Sequence, residues 1–374
     1  MSEPPNATPT APRAPRVCVY GAGAIGGHLA ARLARGGADV SIVARGAHLA
    51  AIRQNGLRIH APDAELHANV TATDDPRDLG PQDAVLVTAK SPALASVAAG
   101  IGPLLGPDTP VVFVMNGIPW WYFHAHGGAL DGQTLPQLDP DGAIRAAVDV
   151  RRVIGGVVYS ACTVVEPGVV HVENPRNRLV LGEPDGALTP RIEAIAAPLR
   201  AGGFIIDATP KIRDAIWSKL LLNLGGGPIA ILTGGPPKLN LLEPAIETAV
   251  RHVYEEAIAI ATALGCSPTL NIETQLGHSR ASAHKPSILQ DLELGRPMEI
   301  ESMLAAPLEL ARRAGVPTPT LDLLIALACT RAATAGLYRA GLVYGAAEVS
   351  NPAYLLPQHH PLSSSDKAPA DAGG

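Results

Sequence analysis

Aromatic side chains are scarce: Phe, Trp and Tyr make up 3% of 374 residues, so Ala, Val, Leu and Ile must build the cores. Cysteine is scarcer still. Cys18, Cys162, Cys266 and Cys329 stand far apart with no CxxC pair, which excludes a disulfide framework and cysteine-held zinc and fits thiols kept reduced in a cytoplasm. Basic charge is not in excess. The net charge of −5 and a pI near 6.2 give no electrostatic ground for nucleic acid. No apolar run is expected to reach the ~18 residues of a membrane span. The Pro/Ala/Thr-rich start, Met1 to Arg16, lacks the apolar stretch of a secretory signal. A cytoplasmic protein with no membrane partner is the expectation. The pairs His124/His126 and His359/His360 have no third ligand nearby, so no metal site is expected either.

What is present is enough chain for two domains, 47% of it apolar and 17% charged. Residues 1–15 and 357–374 are small, polar and Pro-rich and read as disordered tails. From 16 to 206, β-branched runs alternate with turns and Ala/Leu-rich helical stretches. VCVY (17–20), VSIV (40–43), AVLVTA (84–89) and VVFVM (111–115) are continuously apolar, as parallel strands covered on both faces are. The runs at 153–165, 168–172 and 178–183 read as hairpins appended to that sheet. From 207 to 356 helical patterns take over, including a stretch around 286–313, with Gly265 and Gly315 as residues that end helices. Long Ala-rich helices there make a homodimer plausible.

Gly21-Ala22-Gly23-Ala24-Ile25-Gly26 follows the first strand and opens a helix that leads to a second strand. A lone GxGxxG is a weak sign. In this context the glycines allow a tight turn and close approach of the backbone to a pyrophosphate, which the free N–H groups of the helix start then meet. After the second strand, where an NAD enzyme usually keeps Asp or Glu for the ribose 2′-OH, the sequence reads VSIVARG. Arg45 there suits a 2′-phosphate, so NADP is the expected cofactor. Lys90 and Asn116 end the third and fourth runs, where a ribose and nicotinamide would lie.

In Trp217-Ser218-Lys219-Leu220-Leu221-Leu222-Asn223, Lys219 and Asn223 fall on one face of a helix whose neighbours are apolar. A lysine buried there needs a partner or a purpose. Taken with GAGAIG at 21–26, Arg45, VTAK ending at Lys90, MNG carrying Asn116, KPSILQD around Ser287 and MEIE carrying Glu299, the chain resembles the ketopantoate reductase family over about residues 16–335. The resemblance implies an α/β Rossmann-type doubly wound domain followed by an all-α 6-phosphogluconate-dehydrogenase-like domain, with the active site between them. It implies NADPH-dependent reduction of a 2-oxo acid, with Lys219 as general acid and Glu299 bonding the substrate or orienting the lysine. Asn116, Asn223 and Ser287 would hold the substrate.

One position departs from the family. Its members usually carry Asn four residues past Asn223, before a proline; here Gly227 closes a run of three glycines before Pro228. The sequence pattern gives no structural reason for that run. A bulkier C=O or C=N (imine) substrate is one alternative to ketopantoate, and a non-catalytic NADP-binding sensor is an alternative of another class. Trp120, Trp121, Tyr122 and Phe123, in a chain with few aromatics, either wall a substrate pocket or pack under the helical domain.

Overall fold

The computed structural model describes residues 13–339. The expected tails at 1–12 and 357–374, the stretch 340–356 and the pair His359/His360 lie outside the described residues. Residues 13–15 do not behave as a tail. Arg13 makes two hydrogen bonds of 2.7 Å to the Asp83 carboxylate, and the Pro15 carbonyl accepts from the Asp39 amide.

The strands are β1 (Arg16–Tyr20), β2 (Asp39–Val43), β3 (Leu57–Ala61), β4 (Ala64–Ala68), β5 (Thr71–Thr73), β6 (Ala84–Val87), β7 (Val111–Val114), β8 (Val153–Tyr159), β9 (Cys162–Glu166), β10 (Val169–Val172), β11 (Arg178–Gly182) and β12 (Ile205–Ala208). Between them run helices α1 (Ala24–Arg35), α2 (Gly46–Asn55), α3 (Leu94–Gly100), α4 (Ala143–Ala147) and α5 (Pro190–Ala201). Eight strands form one sheet in the order β12-β11-β8-β7-β6-β1-β2-β5, parallel except where β11 meets β8. The four continuously apolar runs are its centre, and Val17, Val19, Ile42, Leu86 and Val112 are buried in its core. The chain leaves β1 for β2 on one side and returns to β6 on the other. The crevice past the carboxyl ends of β1 and β6 is thus a topological switch point, where such sheets bind ligands.

The hairpin expectation needs correction. The run 153–165 is two strands in two sheets: β8 pairs with β11 in the main sheet, whereas β9 and β10 join β3 and β4 in a second sheet of order β4-β3-β10-β9. This second sheet packs on α1, whose residues Gly26 to Leu33 are all buried. Covering α1 all round is what draws β9 and β10 away from the main sheet.

The second half is helical: α6 (Ile212–Thr233), α7 (Pro237–Asn240), α8 (Pro244–Ala263), α9 (Ile272–Ala281), α10 (Ser287–Glu293), α11 (Ala306–Ala314) and α12 (Pro319–Thr334). Gly265 and Gly315, both at positive φ, end α8 and α11 as the sequence suggests. By length and composition the 22-residue α6 could cross a membrane, against the expectation that no run reaches that length. It is the central helix of this half, with 61% of its most apolar window buried among α8, α10 and α12.

The glycine run lies in α6, and its first member has a steric cause. A Cβ on Gly225 would stand 2.2 Å from the Tyr254 hydroxyl of α8. Close packing of α8 there offsets the ~1 kcal/mol of helix propensity that a glycine costs. Gly226 and Gly227 have more room. A Cβ on Gly227 would meet one atom within 4 Å, Ile288 Cγ2 at 3.4 Å.

Candidate active site

Each glycine of the first turn is fixed by a different neighbour. Gly21 has φ +109°, and a Cβ on it would come within 2.9 Å of the Ala89 amide nitrogen just past β6. A Cβ on Gly26 would collide with the Gly21 carbonyl at 1.9 Å. Gly23 has nothing within 4 Å of its missing Cβ, and it caps α1 with no side-chain hydrogen bond and no acidic residue in the first turn. The first N–H groups of α1 therefore have no side-chain cap of their own. Ala22, Ala24 and Ile25 fill the turn between the glycines, and Thr88 closes it by donating to the Gly21 carbonyl at 2.5 Å. The turn fits a dinucleotide pyrophosphate: tight where the strand and helix must meet, open where a phosphate would approach.

Arg45, the residue before α2, is exposed at the end of β2. Its guanidinium donates to the Ser96 hydroxyl of α3 and forms no salt bridge with a described residue. A cation and a hydroxyl are thus gathered where the nucleotide ribose is expected.

Lys90, past β6, donates to the buried Asp291 of α10 at 2.6 Å. Asn116, past β7, donates through Nδ2 to Glu299 Oε2 at 3.1 Å. Burial raises the Glu299 carboxyl above the usual range, while the Asn116 hydrogen bond and the Lys90 charge oppose that rise. The next residue, Gly117, has φ +79°, and a Cβ on it would sit 2.3 Å from the Ser302 carbonyl oxygen. That carbonyl accepts from the Ile118 amide at 2.8 Å. It is available because residues Glu301–Ala305 form a π-helical turn, which shifts the helix's own hydrogen-bond register. The continuous helical stretch expected around 286–313 is therefore α10, a loop, this π turn and α11. The interruption ties the sheet to the helical half beside Glu299.

Lys219 and Asn223 share one face of α6, as their spacing predicts. Asn223 Nδ2 is buried with no hydrogen-bond partner among the described residues. The Lys219 ammonium lies 4.9 Å from the centre of the Tyr159 ring and forms no salt bridge with a described residue. Desolvation lowers its pKa from the ordinary lysine value, and no carboxylate among the described residues opposes the fall. Glu299 is bonded to Asn116, and among the described residues no hydrogen bond or ion pair joins it to Lys219. Tyr159 ends β8 on the same sheet edge as Lys90 and Asn116, which puts Lys219 at that edge too. Ser287 is exposed in the first turn of α10, whose Ile288 faces Gly227. Tyr159, Arg178, Ser218, Leu222 and Gln275 line an open cavity of about 300 Å³, to which Lys219 and Asn223 do not contribute.

The aromatic segment is buried and packs against the helical half. Trp120, Trp121, Tyr122 and Phe123 are each at most 2% exposed, and Trp217 Nε1 of α6 donates to the Tyr122 hydroxyl at 2.8 Å. Tyr159, Asp291 and the π turn are site features that the sequence reading missed. Asp291 had a signal, being the one carboxylate of the KPSILQD segment; Tyr159 and the π turn had none.

Two family models match the chain: Ketopantoate reductase PanE/ApbA over residues 17–186, and Ketopantoate reductase PanE/ApbA C terminal over residues 211–331. The chain is 42% identical over 326 residues to 2-dehydropantoate 2-reductase of Mesorhizobium japonicum, covering 86% of this chain and 99% of that one. A crystal structure from Ralstonia solanacearum MolK2, provisionally described as a ketopantoate reductase, is 42% identical with a TM-score of 0.81, covering 87% of this chain and 100% of the other. D-mandelate dehydrogenase, solved with NADH and anilino(oxo)acetate, shares the fold at a TM-score of 0.70 and 19% identity, covering 86% of this chain and 99% of its own.

Proposed function

The chain belongs to the ketopantoate reductase family, and from that premise we propose that it reduces the carbonyl of a 2-oxo acid with NADPH, ketopantoate (2-dehydropantoate) being the first substrate to test. The observation that carries this reading is the meeting, along one sheet edge, of the open glycine turn with Lys90, Asn116, Glu299 and the desolvated Lys219. When bound, the nicotinamide supplies hydride to the carbonyl carbon. Lys219 holds the proton for the carbonyl oxygen and, while charged, stabilises the negative charge developing there. Asn223 offers an amide that has no partner among the described residues, and Asn116 and Ser287 hold the rest of the substrate. Glu299 fixes the Asn116 amide. Four unpaired thiols support a cytoplasmic setting. A place in pantothenate biosynthesis follows if ketopantoate is the substrate, and a homodimer is the expected assembly.

NADP is chosen by Arg45, not by the fold, since D-mandelate dehydrogenase holds NADH on the same architecture. Arg45 and Ser96 together suit a 2′-phosphate. NADPH should bind at least ~10-fold tighter than NADH, the ratio that 1.4 kcal/mol gives. Arg45→Ala should remove most of that preference in a fluorescence titration. Equal affinity of the unmutated protein for both nucleotides would sink the assignment.

Gly227 supports a second reading, in which a bulkier 2-oxo acid or an imine is the better substrate. Gly227 has no side chain where the family presents an asparagine, and a hydrogen bond worth about 0.5–1.5 kcal/mol is missing. An NADPH-oxidation screen should then show lower kcat/KM on ketopantoate than on a larger carbonyl or imine. Gly227→Asn should move selectivity back toward ketopantoate, because its Cβ meets Ile288 alone. Ordinary efficiency on ketopantoate, unmatched by any larger compound, would return the protein to the first reading.

A further inference from the structure

We propose that Tyr159 is a positioning residue for Lys219, its ring face carrying the ammonium and fixing both where it stands and how readily it gives up its proton. This rests on the reading of Lys219 as proton donor. A desolvated cation without a counter-ion needs another source of negative potential. The Tyr159 ring, with Lys219 Nζ 4.9 Å from its centre, is in range to supply one. The ring is itself held. Arg178 of β11 also lies over it, at 5.6 Å, and is ion-paired to Asp207 of β12.

Five carboxylates on α6 and around it have partners other than Lys219. Asp291 of α10 binds Lys90, Glu299 accepts from Asn116, and Glu301 of the π turn accepts from Tyr338. Glu256 of α8 accepts from the first amides of α12, and Asp214 of α6 accepts from the Ser267 amide. A ring does what a carboxylate in its place could not. It stabilises the charged form without occupying the three N–H donors, so they stay available to a substrate oxygen. It also raises the lysine pKa less than a full counter-charge would, which keeps the proton transferable.

The sign of the pH effect follows. A proton donor works while charged, so the rate falls as pH rises through its pKa. Without the ring the ammonium loses its proton more easily, and the basic limb moves to lower pH. In Tyr159→Leu that limb should move down by about one pH unit and kcat should fall roughly 10-fold, the scale of a desolvated cation–π contact. NADPH affinity should hold in this variant, and Tyr159→Phe should rescue both kcat and the limb. Because Tyr159→Leu could fold poorly, a second series places phenylalanine and then mono-, di- and trifluorophenylalanine at position 159. Fluorine drains the ring face at nearly constant shape, so the limb should step down with each substitution. A flat series, or Tyr159→Leu with wild-type kcat and pH profile, overturns the proposal. If Lys219→Ala is inactive while the series is flat, only the role of Tyr159 fails; if Lys219→Ala is active, the reading beneath it fails as well.

Discussion

Lys219→Ala is expected to lower kcat by roughly 10²-fold or more, the usual contribution of a positioned general acid. NADPH affinity should survive, because the glycine turn Gly21–Gly26 and Arg45 belong to the β1–α1 and β2–α2 connections and Lys219 to α6. Folding stability should not fall either. Desolvation lowers the Lys219 pKa, so the folded protein tolerates that charge less well than the unfolded chain does. Lys219→Arg separates charge from proton transfer. A guanidinium keeps the positive charge but does not release its proton in the working range, so this variant should stay slow if the proton matters. In the unmutated enzyme, kcat should decline on the basic side through a pKa below the ordinary lysine value of ~10.4. A pH–rate profile of the three proteins with matched NADPH titrations is the measurement. Near-normal turnover in Lys219→Ala would mean that another group supplies the proton.

The parts of this site that rest on local rules were legible in the sequence. Gly21, Gly23 and Gly26 announce a turn because their spacing serves backbone geometry within six residues. Lys219 and Asn223 announce a shared helix face because four residues are about one helical turn. Arg45, Lys90 and Asn116 were placed by counting strands, and each stands at a strand end. What was not legible depends on contacts between distant segments. Gly225 has a cause only once Tyr254, on another helix, lies across it. Tyr159 is an unremarked strand end until Lys219 and Arg178 arrive over its ring. The burial of Trp120 to Phe123 required distant partners, among them Phe113 of β7 and Trp217 of α6. The split of β8 from β9 had no local signal either, since both are short β-branched runs; the need to cover α1 decides it. Glu299 shows the same limit from the other side. The sequence locates the carboxylate, but its pairing with Asn116 is set by the π turn, which no hydrophobic period betrays.

That covering of α1 has its own large energetic consequence, at Asp63. The Arg32 side chain is 1% exposed in the middle of α1, and its guanidinium is bidentate to Asp63 in the β3–β4 turn, at 2.7 and 2.9 Å. It also donates to the Gly202 carbonyl and, through Nε, to His28 Nε2 at 3.1 Å. That last bond fixes a tautomer: Nε2 accepts, so Nδ1 carries the proton and donates to Ser160 Oγ, which donates to Asn177 Oδ1. Asp63→Ala would leave the buried guanidinium without its exposed carboxylate partner, and should cost about 1–3 kcal/mol in urea unfolding. Replacing both partners, as in Arg32→Met with Asp63→Leu, should recover most of that loss, because no buried charge is then left without a partner. The same network makes the fold acid-sensitive. Burial, aided by the Arg32 charge, holds His28 down to about 4. An unfolded histidine titrates near 6.5. As pH falls from about 6.5 to 4 the unfolded chain binds a proton that the folded one refuses, so stability falls through that window by up to about 3 kcal/mol at 1.36 kcal/mol per unit. The lowered Asp63 pKa adds a further loss below the ordinary aspartate value, as its carboxylate is protonated away from Arg32. His28→Gln should flatten the window between pH 6.5 and 4 and leave the lower limb in place. A double variant as unstable as Asp63→Ala, or a His28→Gln protein with the parent's acid profile, would show that the network does not set stability here.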